Sequence, residues 1–258
     1  MEYITSTGNK IYKEVKKLSL KKYREALSLY IEEGDKQLLS KDDIQVEYIV
    51  LSKDKEISPH LEEKLKKIKE QGKNIYIFDE KLFSELSTQE NSQGLIAIKK
   101  IKNSCKNNLS DIIVALDGVQ DPGNMGTIFR TVDAVGLKDI FLLEGCVDIY
   151  NPKTVRSSMG SIEELNLIKI TQEELETYKD KGYKLKSTGM SSKSKPYTEI
   201  NPNEKSIIIF GSEGQGVSSF IKNIVDEEIE IPIYGRSESL NVGIATGIIL
   251  YKIREKLS

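Results

Sequence analysis

The stretch that decides the fold runs Asp117-Gly118-Val119-Gln120-Asp121-Pro122-Gly123-Asn124-Met125-Gly126-Thr127-Ile128-Phe129-Arg130-Thr131. An apolar, β-branched run at 112–116 precedes it and predicts a buried strand, and apolar residues at helical spacing follow it. Turn-forming Pro, Gly and Asn lie between the two. The stretch therefore predicts a strand, a tight loop and a helix. Such a loop aims backbone N–H groups and the positive end of the helix dipole at whatever lies in front of it.

Taken alone, this stretch is more typical of an ordinary turn between a strand and a helix than of a functional site, because Gly-rich turns of this kind are common. Two later stretches of similar design favour a functional interpretation. They are Ile207-Ile208-Ile209-Phe210-Gly211-Ser212-Glu213-Gly214-Gln215-Gly216-Val217 and Ile231-Pro232-Ile233-Tyr234-Gly235-Arg236-Ser237-Glu238-Ser239-Leu240-Asn241-Val242-Gly243-Ile244-Ala245-Thr246-Gly247. Glu213 stands among the glycines of the second stretch, and its charge would repel a polyphosphate. The loop therefore favours a neutral or cationic ligand.

Composition places the chain among soluble globular proteins, with 38% hydrophobic and 30% charged residues in a length of 258. No apolar run approaches about 20 residues, and the N-terminus lacks a signal-peptide pattern, so a cytoplasmic protein without a membrane span is expected. Cys105 and Cys146 show no pairing or metal-binding pattern. The single histidine, His60, stands beside Pro59 at an expected helix start and is predicted to lie on the surface. No metal is expected.

The net charge of −2 argues against non-specific coating of nucleic acid, but the charge is unevenly placed. Residues 1–24 carry seven Lys or Arg against Glu2 and Glu14. A second basic run lies at 99–106. Solvated helix faces and a linker explain each run as well as a contact with RNA does.

Strands alternate with helices along the whole chain, which predicts α/β architecture. Residues 1–100 are expected to form a small α/β domain, with helices at 10–18 and 59–69 and a strand at 27–31. The polar, basic segment 101–109 is expected to be a linker. Residues 110–258 are expected to form the second domain, which contains all three motifs.

The three motifs, in this order, resemble those of the SpoU (TrmH-type) family of RNA 2′-O-ribose methyltransferases, part of the SPOUT superfamily. The resemblance covers about residues 110–257, and residues 151–160 also look like the family's intermediate segment. Val132 and Gly243 stand where the family often has Ala and Ser. The N-terminal third resembles the family's accessory substrate-binding domain, which is related to ribosomal RNA-binding proteins. The matching strings are Asp121-Pro122-Gly123-Asn124-Met125-Gly126 with Arg130-Thr131, Gly211-Ser212-Glu213-Gly214, and Ile231-Pro232 with Ser239-Leu240-Asn241-Val242.

The resemblance implies an α/β fold: a C-terminal α/β trefoil-knot (SPOUT) domain with a smaller N-terminal α/β RNA-binding domain. It implies S-adenosylmethionine as cofactor, a homodimer, and an RNA substrate, with ribosomal RNA favoured because the accessory domain is present. The positions that match the family's active site are Asn124, Arg130, Glu213, Ser239 and Asn241. Those that match its cofactor site are Gly211, Ile231 and Leu240, with the backbone at Thr188 and Gly189.

The residue roles stay open at this point. Arg130 is the family's usual candidate for activating the ribose hydroxyl, but a guanidinium is a poor base and is better suited to binding phosphate. Glu213 would orient Arg130 or accept the proton, and Asn124 would hold Arg130 or the ribose. Ser239 and Asn241 would hold ribose or phosphate, or cap the last helix.

Three other functions remain to be weighed. The same chemistry on transfer RNA fits the motifs, and so does a non-catalytic RNA-binding protein, although all five polar motif residues are present. A dinucleotide-dependent oxidoreductase requires Gly-x-Gly-x-x-Gly in the first strand–helix turn. Residues 211–216 imitate that spacing only loosely and lie too late in the chain.

Overall fold

The computed structural model describes residues 1–35, 38–39, 45–89 and 91–257. Two compact units are found, one of Met1–Lys102 with Tyr150–Arg156 and the other of Asn103–Ile149 with Ser157–Ser258. The division expected from the sequence, at 1–100, 101–109 and 110–258, stays a prediction. Among the described residues, none of the helices is long and apolar enough to cross a membrane.

A five-stranded sheet in the order β1-β4-β3-β5-β2 forms the centre of the first unit. Strand β5 runs antiparallel to both of its neighbours, β2 and β3. Alternate strand residues bury opposite faces: Val50 packs with the first helix, and Ile49 packs with the third. The strands are β1 Glu2–Ile4, β2 Leu29–Glu33, β3 Tyr48–Ser52, β4 Asn74–Phe78 and β5 Leu95–Lys100. The helices are α1 Lys10–Lys17, α2 Lys21–Leu27, α3 Pro59–Glu70 and α4 Glu80–Ser84.

The helices expected at 10–18 and 59–69 are confirmed as α1 and α3. The strand expected at 27–31 starts too early, because Leu27 ends α2 and Ser28 closes that helix with a positive φ of 53°. Strand β2 begins only at Leu29. The sequence of α2 has no apolar stripe from which a helix could be predicted, because the residue that this helix buries is Arg24. The Arg24 guanidinium donates a hydrogen bond to the Leu18 carbonyl at 2.7 Å.

Seven parallel strands in the order β10-β12-β9-β11-β6-β7-β8 form the sheet of the second unit. The strands are β6 Ile112–Asp117, β7 Asp139–Leu142, β8 Asn166–Lys169, β9 Lys184–Thr188, β10 Lys195–Pro196, β11 Ser206–Gly211 and β12 Glu227–Glu230. The α-helices in this part of the chain are α5 Pro122–Ala134, α6 Pro152–Ser158, α7 Gln172–Glu176, α8 Ser219–Ile224 and α9 Val242–Leu257. Three short 3₁₀ segments, Ser161–Glu163, Thr177–Lys181 and Tyr197–Glu199, complete it.

Strands β6 and β11 lie side by side in the middle of this sheet and are buried along their whole length. Their register pairs Gly211 with Asp117, the last residue of each strand. The loops of the first and second motifs therefore leave the sheet as neighbours. The Asp117 carboxylate also accepts a hydrogen bond from the backbone of Ser218 at 2.7 Å, which ties the far end of the second loop to the first.

Helix α5 approaches the end of α6 very closely at Gly126. A Cβ added to Gly126 would lie 2.4 Å from the Ser157 Cβ and 2.8 Å from the Ser158 backbone nitrogen. The small residues that close α6 therefore permit close approach to a neighbouring element.

Strand β9 carries a wholly buried lysine, Lys186, in the middle of the sheet. Its ammonium forms ion pairs with Glu204 at 2.8 Å and Glu227 at 3.6 Å. The lysine beside it lowers the pKa of Glu204. The ion pair of Lys186 and Glu204 therefore stabilises the folded sheet fully at pH values above the pKa that the Glu204 carboxyl group has in the unfolded chain. This contribution is lost as the pH falls through the lower pKa that the group has in the folded protein.

Candidate active site

A cavity of about 530 Å³ lies at the carboxyl ends of β9, β11 and β12. In parallel sheets, ligands bind at this edge because the loops that follow the strands converge there. The lining residues are Thr188, Gly189, Met190, Phe210, Gly211, Ser212, Glu213, Gly214, Gln215, Gly216, Ile229, Ile231, Ile233, Glu238, Ser239, Leu240, Val242, Ala245 and Ile249.

The five residues expected to bind the cofactor all line this cavity: Thr188, Gly189, Gly211, Ile231 and Leu240. The sheet fixes two of them directly. The Thr188 hydroxyl donates to the Ile209 carbonyl at 3.2 Å, and the Gly189 N–H donates to the Ile229 carbonyl at 3.0 Å. This wall is therefore an extension of the strands and is held by their hydrogen bonds.

The loop after β11 is a tight turn closed by two backbone hydrogen bonds. Ser212 and Gly216 exchange N–H to carbonyl bonds of 3.0 and 2.9 Å. A Cβ added to Gly211 would lie 2.1 Å from the Gly216 carbonyl carbon, so this position requires glycine. The turn leaves Glu213 and Gln215 exposed at its tip.

Three polar side chains, one from each motif, meet in a hydrogen-bonded cluster. The amide nitrogen of Asn124 donates to Glu213 Oε1. The amide nitrogen of Asn241 lies 3.0 Å from the same carboxylate oxygen and 2.9 Å from Asn124 Oδ1. The cluster joins residues that are 89 and 117 positions apart in the chain.

Helix caps hold two of the three cluster residues, Asn241 through its side chain and Asn124 through its backbone. Asn241 Oδ1 accepts from the backbone nitrogens of Gly243 at 2.9 Å and Ile244 at 3.3 Å, at the start of α9. This orientation turns the amide nitrogen toward Glu213 and Asn124. Asn124 is held in turn because its own backbone N–H donates to the α5 cap, Asp121, at 2.8 Å.

The remaining two residues expected at the active site lie apart from this cluster. Ser239 is exposed and lines the cavity. Arg130 is exposed on α5, where no hydrogen bond or ion pair of its side chain is found with any described residue. The structure therefore brings Asn124, Glu213 and Asn241 together and leaves the guanidinium of Arg130 free to meet a ligand.

The cavity suits a cofactor that carries positive charge. Glu213 and Glu238 belong to its lining, and none of the described lining residues is a Lys or Arg, so the cavity disfavours a polyphosphate. Its volume falls within the range of about 300–1,000 Å³ that is usual for small-molecule sites. Apolar side chains such as Ile231 and Leu240 complete the wall. Met190 and Glu238 also line the cavity and were not among the residues expected there, although Met190 directly follows Gly189 and Glu238 lies within the third motif.

Comparison with known proteins identifies the family. Residues 111–251 match the model of the SpoU rRNA Methylase family. The chain belongs to this family. Residues 9–97 match a second model, the MRM3-like substrate binding domain.

Relatives match the chain over most of its length. A protein named 23S rRNA (guanosine(2553)-2′-O)-methyltransferase RlmP, from Bacillus subtilis, is 33% identical over 98% of this chain and 100% of its own. A tRNA (guanosine(18)-2′-O)-methyltransferase from Aquifex aeolicus is 32% identical over 62% of this chain and 76% of its own. The crystal structure of an AdoMet-bound rRNA methyltransferase from Sinorhizobium meliloti is 28% identical, covers 100% of this chain and 98% of its own, and has a TM-score of 0.87.

Membership of the SpoU family confirms the activity and the cofactor predicted from the sequence. The protein is an RNA 2′-O-ribose methyltransferase that uses S-adenosylmethionine. The solved structures also confirm the predicted SPOUT α/β fold. When bound, S-adenosylmethionine supplies a methyl group on a positively charged sulfur, and the carboxylate-lined cavity fits that charge.

Two substitutions of Asn241 distinguish its role as the cap of α9 from its role as a hydrogen-bond donor in the cluster. Asn241→Ala should lower the free energy of unfolding by about 0.5–2 kcal/mol, because the α9 cap is lost, and should also slow methylation. Asn241→Asp keeps the cap acceptor but replaces the amide donor with a second carboxylate beside Glu213. We expect it to keep the thermal stability within about 0.5 kcal/mol of the wild type while single-turnover methylation falls at least about tenfold. Wild-type activity in the aspartate variant would contradict a role for the cluster.

Proposed function

We propose that this protein methylates a ribose 2′-hydroxyl in 23S ribosomal RNA. The end-to-end match with the Bacillus subtilis relative carries the proposal, since it includes the N-terminal third. The match with the Aquifex aeolicus enzyme, whose name specifies transfer RNA, covers only 62% of this chain. A non-catalytic RNA-binding protein is disfavoured because the three motif side chains still form one hydrogen-bonded cluster. We place the activity in the cytoplasm, which cell fractionation would test.

In this proposal the cavity residues Thr188, Gly189, Gly211, Ile231 and Leu240 hold the cofactor. Asn124, Glu213 and Asn241, which form the hydrogen-bonded cluster, act on the ribose that binds beside the cofactor. Glu213 accepts the hydroxyl proton, and the amides of Asn124 and Asn241 hold its carboxylate in place by donating to it. Ser239, at the cavity edge, holds the ribose. These groups keep the reacting atoms in line, which supplies several kcal/mol of the barrier reduction.

Arg130 serves as a phosphate clamp in this proposal. Glu213 engages Asn124 and Asn241 rather than Arg130, so the fork of the guanidinium stays available for a phosphate next to the target ribose. An arginine that remains protonated can also stabilise the negative charge that develops on the hydroxyl oxygen.

The first unit, proposed as the substrate domain at 1–100, supplies RNA affinity rather than chemistry. Its helices α1 and α2 expose six lysines toward solvent. The ammonium groups of Lys17 and Lys22 lie 5.4 and 4.9 Å from the centre of the Tyr23 ring. A lysine-rich surface attracts the phosphate backbone without reading its sequence. The six are Lys10, Lys13, Lys16, Lys17, Lys21 and Lys22.

A homodimer is proposed because α9 leaves an apolar stripe uncovered. Ile244, Ile248 and Tyr251 share one face of the helix. Ile244 and Tyr251 are 56% and 55% exposed. Large apolar side chains repeated along one exposed helix face mark a surface that buries itself against a partner, and a second copy is the partner proposed here.

Mapping of 2′-O-methyl groups tests the proposed function directly. Total RNA from cells with and without the gene should differ at one position of 23S rRNA. The wild-type gene should restore that methyl group, and a Glu213→Ala gene should not, because the proton acceptor is missing. Loss of a methyl group from transfer RNA alone would favour the alternative substrate.

The variant Arg130→Lys distinguishes two roles for Arg130, as a group that binds phosphate and as the base that accepts the hydroxyl proton. If Arg130 binds phosphate, the lysine variant keeps the positive charge but loses the planar guanidinium group, so the rate of single-turnover methylation should fall about tenfold to 100-fold. The pH–rate profile should keep its wild-type shape, and cofactor affinity should not change. A profile shifted toward lower pH would contradict the clamp, because lysine gives up a proton more readily than arginine.

Charge reversal tests the lysine-rich surface of the first unit. Lys17→Glu with Lys22→Glu should weaken RNA binding and reduce the slope of log affinity against log salt by about 1–2. The matched control is Lys66→Glu with Lys69→Glu on α3, which packs on the opposite face of the same sheet. If the two pairs of substitutions weakened RNA binding equally, RNA affinity would depend on the total charge of the first unit and not on the lysine-rich surface of α1 and α2.

Sedimentation equilibrium of the full chain should give the mass of two chains. Ile244→Arg should shift the protein toward one chain, since it places a charge in the apolar stripe. Tyr3→Arg, at a residue that is 68% exposed in the first unit, is the control. A wild-type mass of one chain at micromolar concentration would rule out the proposed dimer.

A further inference from the structure

A second cavity, of about 420 Å³, lies on the other side of the first and second motif loops. It shares residues 212–215 with the cofactor cavity, so the same short turn forms part of the wall of both. The mechanism above assigns it no role. The rest of its lining includes Gly118, Gln120, Asp121, Asn124 and Gly145.

The charge of this second cavity excludes a phosphate. Asp121 and Glu213 line it with carboxylates, and none of its described lining residues is a Lys or Arg. A phosphate group placed there would meet like charge without compensation. The cavity therefore favours a neutral or cationic occupant, and a nucleobase, which is neutral and carries several hydrogen-bonding groups, meets this requirement.

Two carboxamides in the second cavity are free to bind such an occupant. Gln120 and Gln215 are exposed, and neither side chain makes a hydrogen bond with a described residue. Each carboxamide offers both a donor and an acceptor, so it can pair with the hydrogen-bonding edge of a base. Enzymes that modify a base commonly extrude its nucleotide and read the exposed Watson–Crick edge in this way.

Part of the lining of the second cavity is glycine backbone. Gly118 and Gly145 both have positive φ angles, of 69° and 81°. A Cβ added to Gly145 would lie 3.3 Å from the Gly118 Cα, so the two backbones are in near contact. No side chain rises from either residue, which leaves a low surface where a planar ring can lie.

We infer that the second cavity receives the base of the nucleotide that is methylated, and that Gln120 and Gln215 read it. Glu213 lines both cavities, so a nucleotide whose base occupies the second cavity brings its ribose to the shared wall, beside the proposed proton acceptor. Asn124 belongs to the same wall and to the cluster. This inference rests on the proposed function, because it requires an RNA ribose as substrate.

The test compares two versions of one RNA, a short fragment around the nucleotide found by the mapping described above. One version carries its normal base at that position, and the other is abasic there but keeps the 2′-hydroxyl. With the full-length wild-type protein, kcat/KM should favour the normal base by at least about 100-fold, because without the base the RNA loses the contacts that hold its ribose beside Glu213. Gln120→Ala and Gln215→Ala should each reduce this preference about tenfold, through lost activity on the normal base alone.

Gln71→Ala is the matched control, an exposed glutamine of the first unit that lies outside both cavities. It should keep the wild-type preference. A variant that merely misfolds would lose activity on both RNAs equally and bind cofactor poorly, so calorimetry with S-adenosylmethionine accompanies each rate.

Three outcomes would overturn the inference. They are a wild-type protein that methylates the abasic RNA as fast as the normal one, glutamine variants that keep the wild-type preference, and glutamine variants that bind the cofactor normally but lose activity equally on both RNAs. In each of them the mapped methyl group still depends on the gene, so the proposed function stands. A protein that methylates no RNA at all would overturn both.

Discussion

The site depends on the orientation of one amide group, that of Asn241. Its oxygen is committed to two backbone nitrogens at the start of α9, which leaves its nitrogen one direction in which to point. In that direction lie Glu213 and Asn124. A helix terminus has unpaired N–H groups in any case, so the chain uses a requirement of helix formation to position a polar group in the site. The side chain is thereby held at both ends before any substrate arrives, which favours preorganised catalysis.

The cluster also depends on the order of the strands. Because β6 and β11 are hydrogen-bonded neighbours that end in register, the turns that follow them start only one strand spacing apart. Glycine then allows the second turn to fold back on its own strand at Gly211. The same turn therefore contacts two cavities, one at the ends of β9, β11 and β12 and one above the first motif loop. This arrangement suits in-line methyl transfer, in which the attacking oxygen approaches the methyl group from the side opposite the sulfur.

Sequence patterns predicted the parts of this architecture that depend on local structure. The apolar runs of β6 and β11 read directly as buried strands, and the cap at the start of α9 was among the expected roles of Asn241. Helix α2 was missed because a helix that buries an arginine has no apolar period. The contact of Glu213 with Asn124 rather than Arg130 was beyond reach as well, since it is set by strand register between residues 89 positions apart. Periodicity predicted only the α/β architecture. The SPOUT fold was implied by the three ordered motifs, because periodicity does not reveal strand order.

The buried lysines of the two sheets give the protein built-in reporters of its own opening. Lys186 is wholly shielded in the sheet of the second unit, and Lys99 is paired with Glu32 inside the sheet of the first. An amine-reactive reagent modifies the many surface lysines at once, but it reaches these two only when their strands separate. Peptide mass spectrometry of a labelling time course would therefore measure the opening of each sheet separately, without substituting any residue to introduce a reporter. Because Lys186 stands two residues before Thr188, its labelling rate would also show how far a bound ligand steadies that strand.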